Sequence, residues 1–163
     1  METTYFKSPI GVVKIVGDID GVTEISVSDL KIDFTEIPDS LSKSVNQLRE
    51  YFDGKRETFD FKTNQKGTAF QQKVWNELCS ISLGKTISYL DLAKRLGDPK
   101  VIRAAAAASG KNKLWIVVPC HRVIGSDGSL TGYAGGLGRK KWLLEHEASR
   151  GLEGRDLFSL NFQ

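Results

Sequence analysis

The alternation of apolar and polar positions changes rhythm near residue 67. Before it the rhythm is short. Tyr5-Phe6, Val12-Val13-Lys14-Ile15-Val16 and the stretch 22–27 are β-branched or aromatic runs, cut by Gly11 and a glycine-bounded turn at 17–21. Runs of this kind between turn signals predict three strands. A helical period follows, with Leu41, Val45, Leu48 and Phe52 on one face and Asp39 or Ser40 placed to cap it. Residues 58–61 read as one more strand, and the polar stretch 62–67 as an inter-domain linker.

From Thr68 onward the rhythm is helical. Residues 68–80 put Phe70, Val74, Trp75 and Leu78 on one face. Ser88 is placed to cap a short helix through Leu96, and Gly97 ends it. Asp98-Pro99 opens the next helix, with Asp as N-cap and Pro at the first helical position. That helix runs through five consecutive alanines and stops near Ser109-Gly110. Two short helices joined by a tight, glycine-containing turn predict a helix-turn-helix. A β-prone stretch at 114–118, a loop rich in Gly and Asp, and a helix over 138–148 complete the pattern. The implied class is α+β. A small N-terminal strand-and-helix domain (1–64) precedes a mostly helical, winged helix-turn-helix-like C-terminal domain (65–163).

Composition narrows the picture. The chain has 163 residues, 40% of them apolar, which suits a packed core. Its net charge of +3 hides an asymmetry: residues 1–67 hold 9 Lys and Arg against 12 Asp and Glu, residues 68–163 hold 14 against 8. A basic half attached to an acidic one points to a polyanion at the second half, and equally well to a solvated basic surface. Two cysteines make no disulfide framework. No basic-then-apolar leader opens the chain, and no apolar run approaches the ~20 residues of a membrane span. The expectation is a soluble protein of a reducing compartment with no membrane partner.

The densest chemistry is the run Val118-Pro119-Cys120-His121-Arg122-Val123, which places a thiol beside an imidazole. A thiol attacks only as thiolate, and a nearby base or cation raises that fraction. Neighbours on an extended segment point apart, so a bridging water rather than a direct bond is expected to carry the proton between Cys120 and His121. On the last helix Leu143 and Glu147 lie four apart and share a face. If Leu143 faces the core, Glu147 is buried and needs a partner: a histidine near Cys120, or a surface lysine, Lys140 or Lys141, if the face is solvated. The helix at 99–113 carries Lys100, Arg103, Lys111 and Lys113 and no acid. Its smooth alanine surface suits close approach to a DNA groove, with the cations meeting phosphates. The same alanines also suit plain packing at high helix propensity. Zinc fails on spacing, since Cys79, Cys120, His121 and His146 contain no C-x₂₋₄-C pair, and Cys79 reads as a core residue.

Several of these stretches occur together in one family. Phe70-Gln71-Gln72-Lys73-Val74-Trp75, Ile87-Ser88-Tyr89 with Leu92-Ala93, Pro119 to Val123, Gly132-Tyr133-Ala134-Gly135-Gly136 and Trp142-Leu143-Leu144-Glu145-His146-Glu147 resemble the C-terminal domain of the O6-alkylguanine-DNA alkyltransferases. These are the methylated-DNA–protein-cysteine methyltransferases. The resemblance covers 68–148, while the first 67 residues match in general shape. It implies direct DNA repair: one irreversible transfer of an alkyl group from O6-alkylguanine in double-stranded DNA to Cys120, with O4-alkylthymine as a second candidate lesion. His121 would be the base acting through a water, Glu147 the carboxylate that orients it, and Asn112 the asparagine linking recognition helix to active site. Tyr89 would help turn out the nucleotide and bond the base. Val123, Tyr133, Ala134 and Gly135 would complete the pocket, with backbone groups of Cys120, Val123 and Ala134 reading base edges. Arg103 would fill the gap in the base stack. Lys100, Ala104, Ala105, Ala108 and Lys111 would line the DNA. No cofactor or metal is implied, and the family pattern is a monomer that can bind DNA cooperatively. The chain departs from that pattern at Lys113 (usually Pro), at an alanine in place of a recognition-helix glycine, and at Ser82 (often Pro). None removes a reacting group. An alkylated-DNA binder or regulator without transfer is the alternative from another class.

Overall fold

The computed structural model describes residues 1–32 and 35–151. The chain divides into two compact units, residues 1–66 with 113–117, and residues 67–112 with the chain from Val118 onward.

In the first unit, β1 (Glu2–Ser8), β2 (Gly11–Asp18) and β3 (Gly21–Ser28) form an antiparallel sheet in the order β1-β2-β3. Alternate side chains Thr4 and Phe6, Val13 and Ile15, and Ile25 and Val27 are buried, the period-two signature of a sheet with one covered face. Helix α1 (Asp39–Phe52) buries Leu41, Val45, Leu48, Tyr51 and Phe52, and Phe52 meets Phe6 edge to face at 6.4 Å. Its N-cap is Pro38, with no side-chain bond, so Asp39 is the first helical residue and not the cap. The ladder shifts register at Val16/Gly17, where a Cβ on Gly17 would lie 2.7 Å from the Gly21 carbonyl oxygen.

Residues 58–61 form no strand, contrary to expectation, because the Asp60 amide donates to the Gln47 side-chain oxygen rather than to a ladder. The stretch read as linker ends where the two units divide, and part of it also pairs with β3: Val22 N–H donates to Lys62 O and Asn64 N–H to Val22 O. Further along, Ile25 N–H donates to Lys113 O and Trp115 N–H to Ile25 O. Of the β-prone stretch 114–118 only Leu114 bridges, because Ile116 turns the chain away with φ at 75°. A β-branched residue at positive φ is a costly conformation.

The second unit is mostly helical. Thr68 caps α2 (Ala69–Leu78) in a reciprocal box with Gln71, and Ser88 caps α3 (Tyr89–Arg95). Asp98 caps a 3₁₀ turn (Pro99–Val101) that leads into α4 (Ile102–Gly110). The two-residue strands β4 (Ile87–Ser88) and β5 (Val123–Ile124) pair in parallel, and α5 (Leu137–Gly151) follows. The α+β class is as expected. Trp75 is buried and its indole N–H donates to the Ala108 carbonyl at 2.9 Å, tying α2 to α4. A Cβ on Gly67 would sit 2.5 Å from that ring. Gly67→Ala is therefore expected to destabilise the protein by about 1–3 kcal/mol, as a lower midpoint in urea unfolding. Among the described residues no helix is long and apolar enough to cross a membrane.

Candidate active site

The reacting run does not stay extended. Residues Cys120–Arg122 make one 3₁₀ turn between buried Pro119 and β5, so three successive side chains leave in three directions. Cys120 is partly exposed, and its sulfur accepts from Asn112 Nδ2 at 3.4 Å. The same amide nitrogen donates to Val118 O at 2.9 Å, which holds buried Asn112 at the end of α4 against the approach to the thiol. Burial pushes the Cys120 thiol up, more than the Asn112 contact and the Lys140 ammonium draw it down. At neutral pH the group is a thiol that needs a base.

His121 is fully buried, with Nε2 2.7 Å from Glu147 Oε2. Burial alone would push the Glu147 carboxyl up, but the His121 ring and the Arg122 guanidinium hold it well below the usual range. An ionised carboxylate only accepts, so His121 Nε2 carries the proton and Nδ1 is the nitrogen free to take one. Nδ1 is buried with no hydrogen-bond partner among the described residues. Arg122 grips the carboxylate from the other side, Nε to Oε1 at 2.7 Å and Nη2 to Oε2 at 3.1 Å, and donates Nη1 to Ile81 O. Sequence reasoning missed Arg122. The available signal was its place in the same run as His121, once Glu147 was expected to be buried and paired.

Glu147 faces inward with Leu143, as the four-residue spacing allows. Lys140 does not pair with it on a solvated face. It is itself fully buried on the same inward stripe of α5, and Lys141 instead meets Glu145 at 3.9 Å. Tyr89 opens α3 and its hydroxyl donates to Thr131 O at 3.3 Å. Tyr133 is half-buried, its ring edge-on to His121 at 6.5 Å between centroids. Ala134 is exposed and Gly135 buried, with the Gly135 carbonyl accepting from Arg139. Val123 is wholly buried, side chain and main chain alike.

The alanine helix resolves into two faces. Arg103, Ala104, Ala107 and Gly110 are exposed, with Lys100 and Lys111 exposed at its two ends. Ala105 and Ala108 are buried against the core and cannot meet DNA, which corrects the expectation for both. A helix with a 3.6-residue period sends 104 and 107 outward and 105 and 108 inward. Cys79 also departs from expectation: it is the exposed C-cap of α2. No group of three or more His, Cys, Asp or Glu among the described residues is placed to hold a metal ion.

Comparison with known proteins covers both units. Residues 69–149 match the DNA-binding domain of 6-O-methylguanine DNA methyltransferase, and residues 1–65 match its ribonuclease-like domain. A methylated-DNA–protein-cysteine methyltransferase of Methanosarcina acetivorans is 42% identical over 151 residues, covering 88% of this chain and 96% of its own. The constitutive Bacillus subtilis enzyme of that name is 42% identical over 141 residues, 81% of this chain and 86% of its own. Mycobacterium tuberculosis O6-methylguanine methyltransferase superposes with a TM-score of 0.81 at 40% identity, covering 96% of this chain and 97% of that one. The structure of the same organism's protein in complex with DNA gives 0.82 at 42%, covering 90% and 92%.

Proposed function

The chain belongs to the 6-O-methylguanine DNA methyltransferase family, and on that premise we propose how its own residues carry out the transfer. The protein repairs DNA by moving an alkyl group from guanine O6 to its own cysteine, one group per molecule. The observation that carries the assignment of residues is that one 3₁₀ turn holds two contact sets, Asn112 on the Cys120 sulfur and His121 with Arg122 on the Glu147 carboxylate, with His121 Nδ1 left unpartnered among the described residues.

The Cys120 sulfur attacks the alkyl carbon. An S–C bond forms, the C–O6 bond breaks, and the thiol proton passes through a water to His121 Nδ1. The proton ends on the departing guanine, so charge balances. Ionised Glu147 fixes the tautomer that leaves Nδ1 open and stabilises the imidazolium during the step. The product is a thioether, a poor leaving group, so the site is consumed.

The alkyl group lies inside a duplex, so the nucleotide must rotate out, at a cost of about a few kcal/mol. The exposed face of α4 is suited to offset that cost. Small Ala104 and Ala107 allow close approach, Lys100 and Lys111 meet phosphates, and Arg103 enters the stack in place of the rotated base. Tyr89, Tyr133, Ala134 and Gly135 receive the base. The protein acts as a monomer, able to bind DNA cooperatively, in the cytoplasm with access to DNA. The N-terminal unit is structural, and the C-terminal unit carries DNA binding and transfer.

The test is intact mass after incubation with duplex carrying O6-methylguanine, followed by peptide mapping. One added methyl on Cys120, saturating at one per chain, is the expected result. Tight binding with an unmodified thiol would favour the damage-binder reading instead. For Arg103→Ala, repair of duplex is expected to slow on the order of tenfold or more while transfer from the free base stays within about twofold. Equal losses on the two substrates would place Arg103 elsewhere.

A further inference from the structure

Lys140 is a charged side chain with no role in the transfer just described, yet it is completely buried. Among the described residues it has no carboxylate partner, and its ammonium is held entirely by main-chain oxygens. Nζ donates to Val123 O at 2.6 Å, to Thr131 O at 2.8 Å and, more weakly, to Gly132 O at 3.5 Å. Its place is as telling as its contacts. Val123 lies three residues after Cys120, and 131–132 lead directly into Tyr133-Ala134-Gly135. The Thr131 oxygen also accepts from the Tyr89 hydroxyl, and the ammonium lies 5.9 Å from the Tyr89 ring centre.

We propose that Lys140 is a positioning residue. Its ammonium clasps the Val123 carbonyl to the 131–132 turn and so sets the spacing of the two main-chain edges between which the base is received. This rests on the proposed transfer and deepens it. A buried, unpaired ammonium is costly, and an apolar residue of similar length would fill the space at less cost. Val123 is wholly buried, so the clasp acts by holding its main chain, and the strand edge beside it, at a fixed distance from the 131–132 turn.

The clasp also has a working range of pH. The titratable groups facing it are the Tyr89 phenol from α3 and the Cys120 thiol from the turn before β5. Burial brings Lys140 down to about 8, against a smaller upward pull from Cys120, while burial keeps the Tyr89 phenol above its ordinary value. The ammonium form is therefore complete well below pH 8 and is lost as pH rises through it.

The experiment is single-turnover methyl transfer from free O6-methylguanine to the full chain and to Lys140→Met, with iodoacetamide labelling of Cys120 in parallel. The free base isolates the pocket from DNA binding. The half-saturating base concentration should rise on the order of tenfold, with the limiting rate less affected and labelling within about twofold. An unchanged half-saturating concentration would overturn the proposal. So would a loss matched by an equal fall in labelling, which would mean that Lys140 acts only through its field on the thiol. Should Lys140→Met fail to fold, equilibrium binding of the free base to Cys120→Ala is measured from pH 6.5 to 9.5. The proposal requires weakening as pH passes through about 8, and pH-independent binding would refute it. A wild-type chain that takes no methyl from duplex O6-methylguanine would sink the proposed function. A wild-type chain that reacts and a variant that reacts identically would sink the clasp alone.

Discussion

Replacing Glu147 by alanine is expected to cost about 3–5 kcal/mol of stability. It is also expected to slow methyl transfer by on the order of a hundredfold or more. The carboxylate is almost wholly inside and is the partner of both the His121 ring and the Arg122 guanidinium. Its removal leaves a permanent cation, itself only 6% exposed, with a carbonyl as its remaining partner. Breaking one side of a buried pair is far more damaging than replacing the whole pair, and here one side serves two cations. Glu147→Gln separates the two effects. It retains the volume and an accepting oxygen, so less stability is lost, but an amide nitrogen then faces donors and the tautomer of His121 is no longer enforced.

Stability against pH provides a second readout. The Glu147 carboxyl is depressed in the folded protein, so its contribution is present above the unfolded value of ~4.3 and is lost as pH falls below it. Wild-type protein should lose stability progressively as pH falls from about 5 through the acid range, and Glu147→Gln less steeply. Urea unfolding at several pH values measures both. Parallel slopes would mean that other carboxylates dominate acid unfolding.

What could be read from sequence follows from the range over which each signal acts. The starts of α2, α3 and the turn before α4 were legible because each is a local bond. Thr68 accepts from Gln71 N at 3.1 Å, Ser88 from Asp91 N at 3.0 Å and Asp98 from Lys100 N at 2.9 Å. The strand runs were legible because alternate burial leaves a period of two. The bridges of 63 and 114 to β3 were not, since a single-residue pairing between distant segments has no periodicity. Five consecutive alanines mark a helix but not a face, so the burial of Ala105 and Ala108 needed Trp75 in place to become visible. Glu147 could be placed from its spacing to Leu143. Lys140, on the same inward stripe, enters the sequence reading only as a candidate surface partner of Glu147, because lysines almost never bury fully. The family motifs supplied the roles of the site residues. Spacing alone left the alternatives open.

Cys120→Ala is expected to abolish transfer while leaving duplex binding within about twofold of wild type, a separation that follows from what the thiol touches. Among the described residues the side chain that donates to it is Asn112 Nδ2, and that nitrogen keeps its shorter bond to Val118 O when the sulfur is gone. The exposed residues of α4 proposed to meet DNA lie on the face opposite buried Ala105 and Ala108, so the variant should fold and bind while reaction stops. Cys79 is the internal control. It is the other thiol in the chain and more open to solvent, yet burial pushes it up more than the nearby Arg122 guanidinium draws it down. Intact mass of the variant after prolonged incubation with methylated duplex should show no added methyl, and peptide mapping of wild type should leave Cys79 unmodified. A methyl on the variant would identify another acceptor and overturn Cys120. Loss of binding together with transfer would mean that the thiol's neighbourhood helps to hold α4 in its DNA-competent position, and the division of labour between the two faces of that helix would have to be redrawn.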